Sequence, residues 1–168
     1  MHPSSSIEVT KADLALLDHQ RAVVDLINSY AMDPMGNGGP LSTEVKDALI
    51  PGLRNHPTTM VFLAWEGKEA VGIAVCFLGF STFTARPLVN IHDLAVLPAY
   101  RGKGIGRLLL AEVEREAHSL GCCKMTLEVL ENNTRARKLY ERAGFSQAVY
   151  AEAAGGALFM VKSLYPKR

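Results

Sequence analysis

An α/β fold with about seven strands and four helices is predicted by three observations. Apolar residues repeat with period two in some stretches and with helical spacing in others. Glycine-containing turns join neighbouring strand candidates as hairpins. The chain has 168 residues, 48% of them hydrophobic, enough to bury a full core without disulfides or metal clips. One domain over residues 1–168 is expected, with a flexible start at 1–6 and a solvated tail at 165–168.

Ile7 to Val9 is the first strand candidate. Thr10, with Asp13 three residues on, resembles a helix N-cap leading into Leu14, Leu17, Val24 and Ile27, a helix that should end near Ala31. The Gly/Pro/Asn cluster from Asp33 to Pro40 cannot continue a helix and reads as an exposed, mobile loop, followed by a shorter helix from about Ser42 to Leu49. Met60 to Trp65 and Ala70 to Phe80 are apolar runs joined by Glu66-Gly67-Lys68-Glu69, a tight hairpin. The second run is apolar at nearly every position, so both of its faces should be covered. Val89 to Val96 is a fourth strand, and Gly104 to about Leu120 a helix with Ile105, Leu109, Val113 and Ala117 along one side. Met125, Leu127 and Val129 alternate with polar residues as a fifth strand should, and Thr134 to Ala143 reads as a short helix ended by Gly144. Phe145 to Glu152 and Leu158 to Leu164 are expected to close the chain as a hairpin over Gly155-Gly156.

The charge balance argues against several classes of partner. Lys and Arg number 18 and Asp and Glu 17, a formal charge of +1, with no basic run; nucleic acid is therefore not an expected partner. Cys76, Cys122 and Cys123 make an odd count, and the adjacent pair lacks the C-x-x-C spacing of a zinc site, so no metal is expected and a reducing, cytoplasmic setting fits. The first residues lack the basic-then-apolar pattern of a signal peptide, and no run approaches the roughly 18 apolar residues of a membrane span.

Three segments carry chemistry. Arg101-Gly102-Lys103-Gly104-Ile105-Gly106-Arg107 stands between a strand and an amphipathic helix. Its glycines let backbone N–H groups approach a ligand, and a helix N-terminus adds unpaired donors and the positive end of the dipole. Arg101, Lys103 and Arg107 add full charges, so a phosphate or pyrophosphate is the natural guest; an ordinary basic loop capping a helix is the plainer alternative. A dinucleotide fingerprint would need glycine at Arg107 or Leu109, and a Walker loop would need Gly-Lys-Ser/Thr. In the preceding strand, Val89 and Ile91 share one phase while Leu94 and Val96 share the other. A β-bulge near His92-Asp93 explains that slip and would free backbone groups for an extended ligand; a strand apolar on both faces is the alternative. The third segment runs from Asn133 through Ala136 and Tyr140 to Gly144-Phe145.

Taken together, these residues resemble the GNAT superfamily of acyl-CoA-dependent N-acetyltransferases. Its pyrophosphate motif, Arg/Gln-x-x-Gly-x-Gly/Ala, is matched by Arg101, Gly104 and Gly106, preceded by the strand end Leu94-x-Val96. Its later motif is matched by Asn133, Ala136, Tyr140, Gly144 and Phe145. The resemblance covers nearly the whole chain and is specific from about Val89 to Phe145. It implies a mixed, mostly antiparallel sheet with helices on both faces, splayed into a V at the fourth strand, with acetyl-CoA lying in the V and no metal.

Backbone groups of Leu94, Ala95 and Val96 would then pair with the pantetheine amides, and the N–H near Leu94 would face the thioester oxygen as oxyanion donor. The amides of Gly102, Lys103, Gly104, Ile105, Gly106 and Arg107 would hold the pyrophosphate. Asn133 and Ala136 would lie along the cofactor arm, and Tyr140 would protonate the departing thiolate. A core aromatic is the alternative for Tyr140.

An alkylamine acceptor with a pKa of about 10.4 is neutral roughly once in 2,500 molecules at pH 7, so a group must take its proton. His92, Asp93 and Glu128 are the candidates, acting directly or through water. The expected activity is transfer of an acetyl group from acetyl-CoA to a primary amine, most simply a small cationic one. A protein N-terminus or lysine is the second reading, and a non-catalytic acyl-CoA-binding module the third. The resemblance also leaves room for a homodimer.

Overall fold

Five strands form the sheet of the computed structural model, which describes residues 6–164. The tail at 165–168 and all of the expected flexible start except Ser6 lie outside the described residues. The chain divides into two compact units, residues 1–130 and 131–168. The first unit runs β1 (Ile7–Lys11), α1 (Leu17–Met32), α2 (Thr43–Asn55), β2 (Thr59–Glu66), β3 (Glu69–Ser81), β4 (Arg86–Val96), α3 (Ile105–Ser119) and β5 (Met125–Leu127). The second holds α4 (Thr134–Arg142). The sheet order is β1-β2-β3-β4-β5; the first four strands pair antiparallel and β5 runs parallel to β4, so the sheet is mixed.

Alternation along β2 and β3 gives each face its own core. Val61, Leu63, Ile73 and Val75 point to one side and meet Ala22, Val23 and Leu26 of α1 and Ile50 and Leu53 of α2. On the other side α3 packs against the sheet with Ile105, Leu109, Leu110, Val113 and Ala117, all buried. The approach of α3 is set at Gly72, where an added Cβ would stand 3.1 Å from Leu109 Cδ1, 3.2 Å from Ile105 Cγ2 and 3.3 Å from the Ala95 oxygen. As expected, β3 is covered on both faces.

Three boundaries differ from the sequence expectation. Thr10 does not cap a helix: β1 extends to Lys11 and pairs with Phe62, Ala12 N–H donates to Val61 O at 2.8 Å, and the Thr10 hydroxyl accepts from Trp65 Nε1 at 3.1 Å. The sheet has claimed the residues that a local reading gave to the helix, and α1 starts at Leu17. The second helix does not stop at Leu49. It begins on its Ser42 cap, whose side chain accepts from Val45 N–H, and continues through Pro51 to Asn55. Burial of Ile50 and Leu53, about 1.5–3 kcal/mol each, offsets the roughly 3 kcal/mol that proline costs in a helix interior.

The closing hairpin is the third correction, and it reduces the strands from about seven to five. Among the described residues 145–164, the only pairing is an isolated bridge between Val149 and Gly156. Between these, Tyr150 is followed by Ala151-Glu152-Ala153-Ala154-Gly155, a run of weak strand formers that takes a 3₁₀ turn at Glu152–Ala154. The chain beyond it carries Leu158, Phe159, Met160 and Val161 exposed.

Candidate active site

The site in the first unit starts from an extra residue in β4. Ile91 lies opposite Cys76 and Asp93 opposite Val75, so His92 has no partner on β3 and forms the bulge predicted from the phase slip. Its effect on the backbone follows from two hydrogen bonds. Val89 N–H donates to Lys124 O toward β5 at 3.1 Å, and Leu97 N–H donates to Val71 O on β3 at 2.9 Å. Residues of the same parity in a regular strand point to the same edge, so the direction has flipped between them at the bulge. The amides of Leu94 and Val96 therefore face the β5 side. There β5 pairs only with Val89, Asn90 and Ile91, so β4 from His92 to Val96 is an open edge. This is the splay, and Leu94, Ala95 and Val96 stand on it.

The same bulge turns two side chains to one face. Asp93 is opposite Val75, whose side chain belongs to the core beneath α1 and α2, and directly opposed residues share a face. The His92 ring lies 5.6 Å from the Phe77 ring, which packs on that same core and meets His56 at 4.6 Å. Burial pushes the Asp93 carboxyl above the ordinary aspartate range, and neighbouring His92 pulls it partly back. Tyr30, near the end of α1, has its hydroxyl raised by burial first and then by the charges of Asp93 and Asp33. Asp93 thus stands near enough to influence Tyr30, with His92 beside it in sequence and turned to the same face. Glu128, the third candidate base, is exposed and follows the last paired residue of β5 instead of standing on the strand, because β5 ends at Leu127 where β4 veers away.

The glycine loop before α3 takes the backbone that its glycines permit. Gly102 and Gly104 take φ of 78° and 82°, the left-handed region that a side chain disfavours. Gly104 caps α3 without a side-chain hydrogen bond, and the first helical bond is Leu108 N–H to Gly104 O. The N–H groups of Ile105, Gly106 and Arg107 are consequently without helical acceptors and point out of the helix end. Arg107 is exposed, and Lys103 Nζ lies 4.7 Å from the centre of the Tyr100 ring. Arg101 is held on two sides. Its Nε donates to Val96 O at 3.0 Å and its Nη2 to Asp33 Oδ2 at 2.6 Å. Its charge is already paired.

In the second unit, Asn133 is the N-cap of α4, its side chain accepting from Ala136 N–H at 3.2 Å. Tyr140 is half-buried on the same helix, its ring 6.0 Å from that of Phe145 in an edge-to-face contact. Among the described residues no group of three or more His, Cys, Asp or Glu side chains is placed to hold a metal ion. No helix among them is long and apolar enough to cross a membrane.

Sequence reading missed Tyr30, Phe77 and the partner of Asp33. The pairing of Asp33 with Arg101 spans 68 positions, and no local pattern announces it. The loop after α1, expected to be exposed and mobile, is tied down: Met35 N–H donates to Asp33 Oδ1 at 2.8 Å and Leu41 N–H to Asn28 Oδ1 at 2.9 Å.

Residues 24–145 match the family model described as Acetyltransferase (GNAT) family. A thialysine N-epsilon-acetyltransferase of Bos taurus is 34% identical over 87 residues, covering 52% of this chain and 51% of that protein. A ribosomal protein alanine N-acetyltransferase of Haemophilus influenzae is 32% identical over 96 residues, covering 54% and 61%. The chain thus spans about half the length of the first of these relatives. Among solved structures, a ribosomal-protein-alanine N-acetyltransferase from Brucella melitensis biovar Abortus 2308 superposes with a TM-score of 0.71 at 18% identity, over 94% of this chain and all of that one.

Proposed function

The chain belongs to the GNAT acetyltransferase family, and on that premise we propose that it transfers an acetyl group from acetyl-CoA to a small cationic primary amine. The observation that carries this reading is the bulge at His92. One inserted residue opens an edge of peptide groups and sets an acid–base pair beside it.

The residues fit the group that the family uses. Leu94 and Val96 offer peptide N–H groups along an unpaired edge that suits the amides of a pantetheine arm. The left-handed glycines at 102 and 104 and the free amides of Ile105 to Arg107 suit a pyrophosphate. Bound there, acetyl-CoA supplies an activated acetyl thioester. The Leu94 N–H is the donor we assign to the carbonyl oxygen, where a positioned hydrogen bond stabilises developing negative charge. His92 and Asp93, on the α1/α2 face, take the proton from the incoming ammonium, directly or through water. Tyr140 is assigned the return of a proton to the departing thiolate, on the strength of its motif.

The acceptor class is supported by charge. Asp93 and Tyr30 line the wall on the amine's side, and Asp33 there is already balanced by Arg101, which leaves Asp93 to meet a cation. The relatives named for thialysine N-epsilon acetylation are consistent with a small amine. The relatives named for ribosomal protein alanine favour the second reading, a protein N-terminus. CoA release measured with spermidine, thialysine and a peptide bearing N-terminal alanine separates the two. Turnover of the small amines above the peptide is expected, and turnover of the peptide alone would replace this acceptor class with the second.

A further inference from the structure

We infer that Arg101 is a positioning residue for the acceptor amine, acting through Asp33, and not a holder of the cofactor's phosphates. The inference rests on the acetyltransferase reading above. Arg101 stands first in the glycine loop, where its charge invites assignment to the pyrophosphate. Its guanidinium is turned the other way. Nη2 pairs with Asp33 Oδ2 at 2.6 Å, and the two side chains keep only 25% and 10% of their accessible surface. Nε is spent on Val96 O, at the end of the open edge of β4. Moving this group onto a phosphate would strip the mostly sheltered Asp33 carboxylate of the guanidinium that pairs with it, a costly change.

What the pair joins gives it a role. Asp33 is the C-cap of α1 and the anchor of the loop to α2: its Oδ1 accepts from Met35 N–H at 2.8 Å and its backbone oxygen from Gly36 N–H at 2.8 Å. Asn37 and Gly39 N–H close on Ala31 O at 3.0 and 3.1 Å. This loop continues the wall that carries Tyr30, on the face to which the bulge turns His92 and Asp93. Arg101 therefore holds the wall against β4, and it grips β4 through a backbone oxygen. The distance between acceptor wall and thioester edge is set by one forked cation. A lysine, with a single ammonium, cannot span both contacts with the same geometry but does keep the ion pair.

The test uses the full chain as wild type, Asp33→Asn, Arg101→Gln, the double variant and Arg101→Lys. Acetyl-CoA Kd is read by calorimetry, and acceptor KM and kcat by CoA release with thialysine or whichever amine of the panel turns over fastest. Asp33→Asn and Arg101→Gln are each expected to raise acceptor KM roughly tenfold, and the double variant to be no worse than either. Acetyl-CoA Kd should stay within about twofold, and Arg101→Lys, which keeps the ion pair but loses the grip on Val96 O, should recover only part of the lost KM. Arg101→Gln weakening acetyl-CoA tenfold while Asp33→Asn does not would overturn the assignment in favour of a phosphate contact. Effects that multiply in the double variant, or a lowered melting temperature with acceptor KM unchanged, would overturn it as well. Should Asp33→Asn fail to fold, the comparison of Arg101→Lys with Arg101→Gln carries the same decision. A wild type that binds no acetyl-CoA would sink the acetyltransferase reading itself, an outcome distinct from all of these.

Discussion

Replacing Gly72 by alanine couples the packing of the fold to its site. The added methyl would stand 3.1 Å from Leu109 Cδ1, 3.2 Å from Ile105 Cγ2 and 3.3 Å from Ala95 O, inside the 3.4 Å at which ordinary contact begins. Leu109 and Ile105 are 0% and 1% exposed, so neither side chain has free space to retreat into. The helix must give, and Ile105 is its first residue. Overpacking of this kind costs about 1–3 kcal/mol, which for a chain of this size lowers the melting temperature by roughly 2–12 °C. Because the same displacement moves the amides of Ile105, Gly106 and Arg107, acetyl-CoA should bind at least several-fold more weakly to Gly72→Ala by calorimetry. Gly52→Ala is the control. It lies within α2 with nothing within 4 Å of the added carbon, and it should gain up to about 1 kcal/mol with acetyl-CoA affinity unchanged. Should Gly72→Ala melt and bind like wild type, the claim that this contact seats α3 and its anion site would be refuted.

Three further predictions concern single side chains. Asp93→Asn should abolish most turnover yet stabilise the protein at pH 8. Burial, the larger cause, raises the folded carboxyl above its unfolded value of about 3.9, so the acid's contribution to stability is present below that pH and is lost as pH rises through the folded pKa. Melting curves of both proteins from pH 4 to 8 should diverge upward, and a constant gap would contradict the reasoning. Tyr140→Phe should lower kcat by roughly 10²-fold, the low end for a proton donor, with acetyl-CoA Kd unchanged; a full-rate variant would return Tyr140 to the role of a packing aromatic. Ser42→Ala removes the cap on Val45 N–H, a loss of about 1 kcal/mol, so melting should fall by roughly 2–4 °C with KM unaltered.

The features legible in the sequence were those with a local signal. The slip of phase between Ile91 and Leu94 located the bulge to within a residue of His92. The hairpin at Gly67-Lys68 appears with Glu66 opposite Glu69. Glycine spacing marked the loop before α3, where Gly102 and Gly104 take left-handed backbone. Features set by distant partners were not legible. Thr10 reads as a cap until Trp65 takes its hydroxyl, and the second helix ends at Leu49 until the core pays for Pro51 through Ile50 and Leu53. The ion pair of Arg101 with Asp33 joins residues 68 positions apart and has no local signal. Apolar alternation at the C-terminal end suggested two strands. Between Val149 and Gly156 the alanines and glycines supply too little strand preference to extend one bridge into a ladder.

The edge of β4 and the N-terminal end of α3 are proposed to receive acetyl-CoA together. Thermal unfolding with and without acetyl-CoA tests this most directly. At 100 times its Kd a ligand adds about 2.7 kcal/mol, so melting should rise by roughly 5–11 °C, and Gly104→Ala, forced into a left-handed backbone at φ of 82°, should show a smaller shift. No shift at saturating acetyl-CoA would contradict the assignment of both elements and with it the proposed reaction.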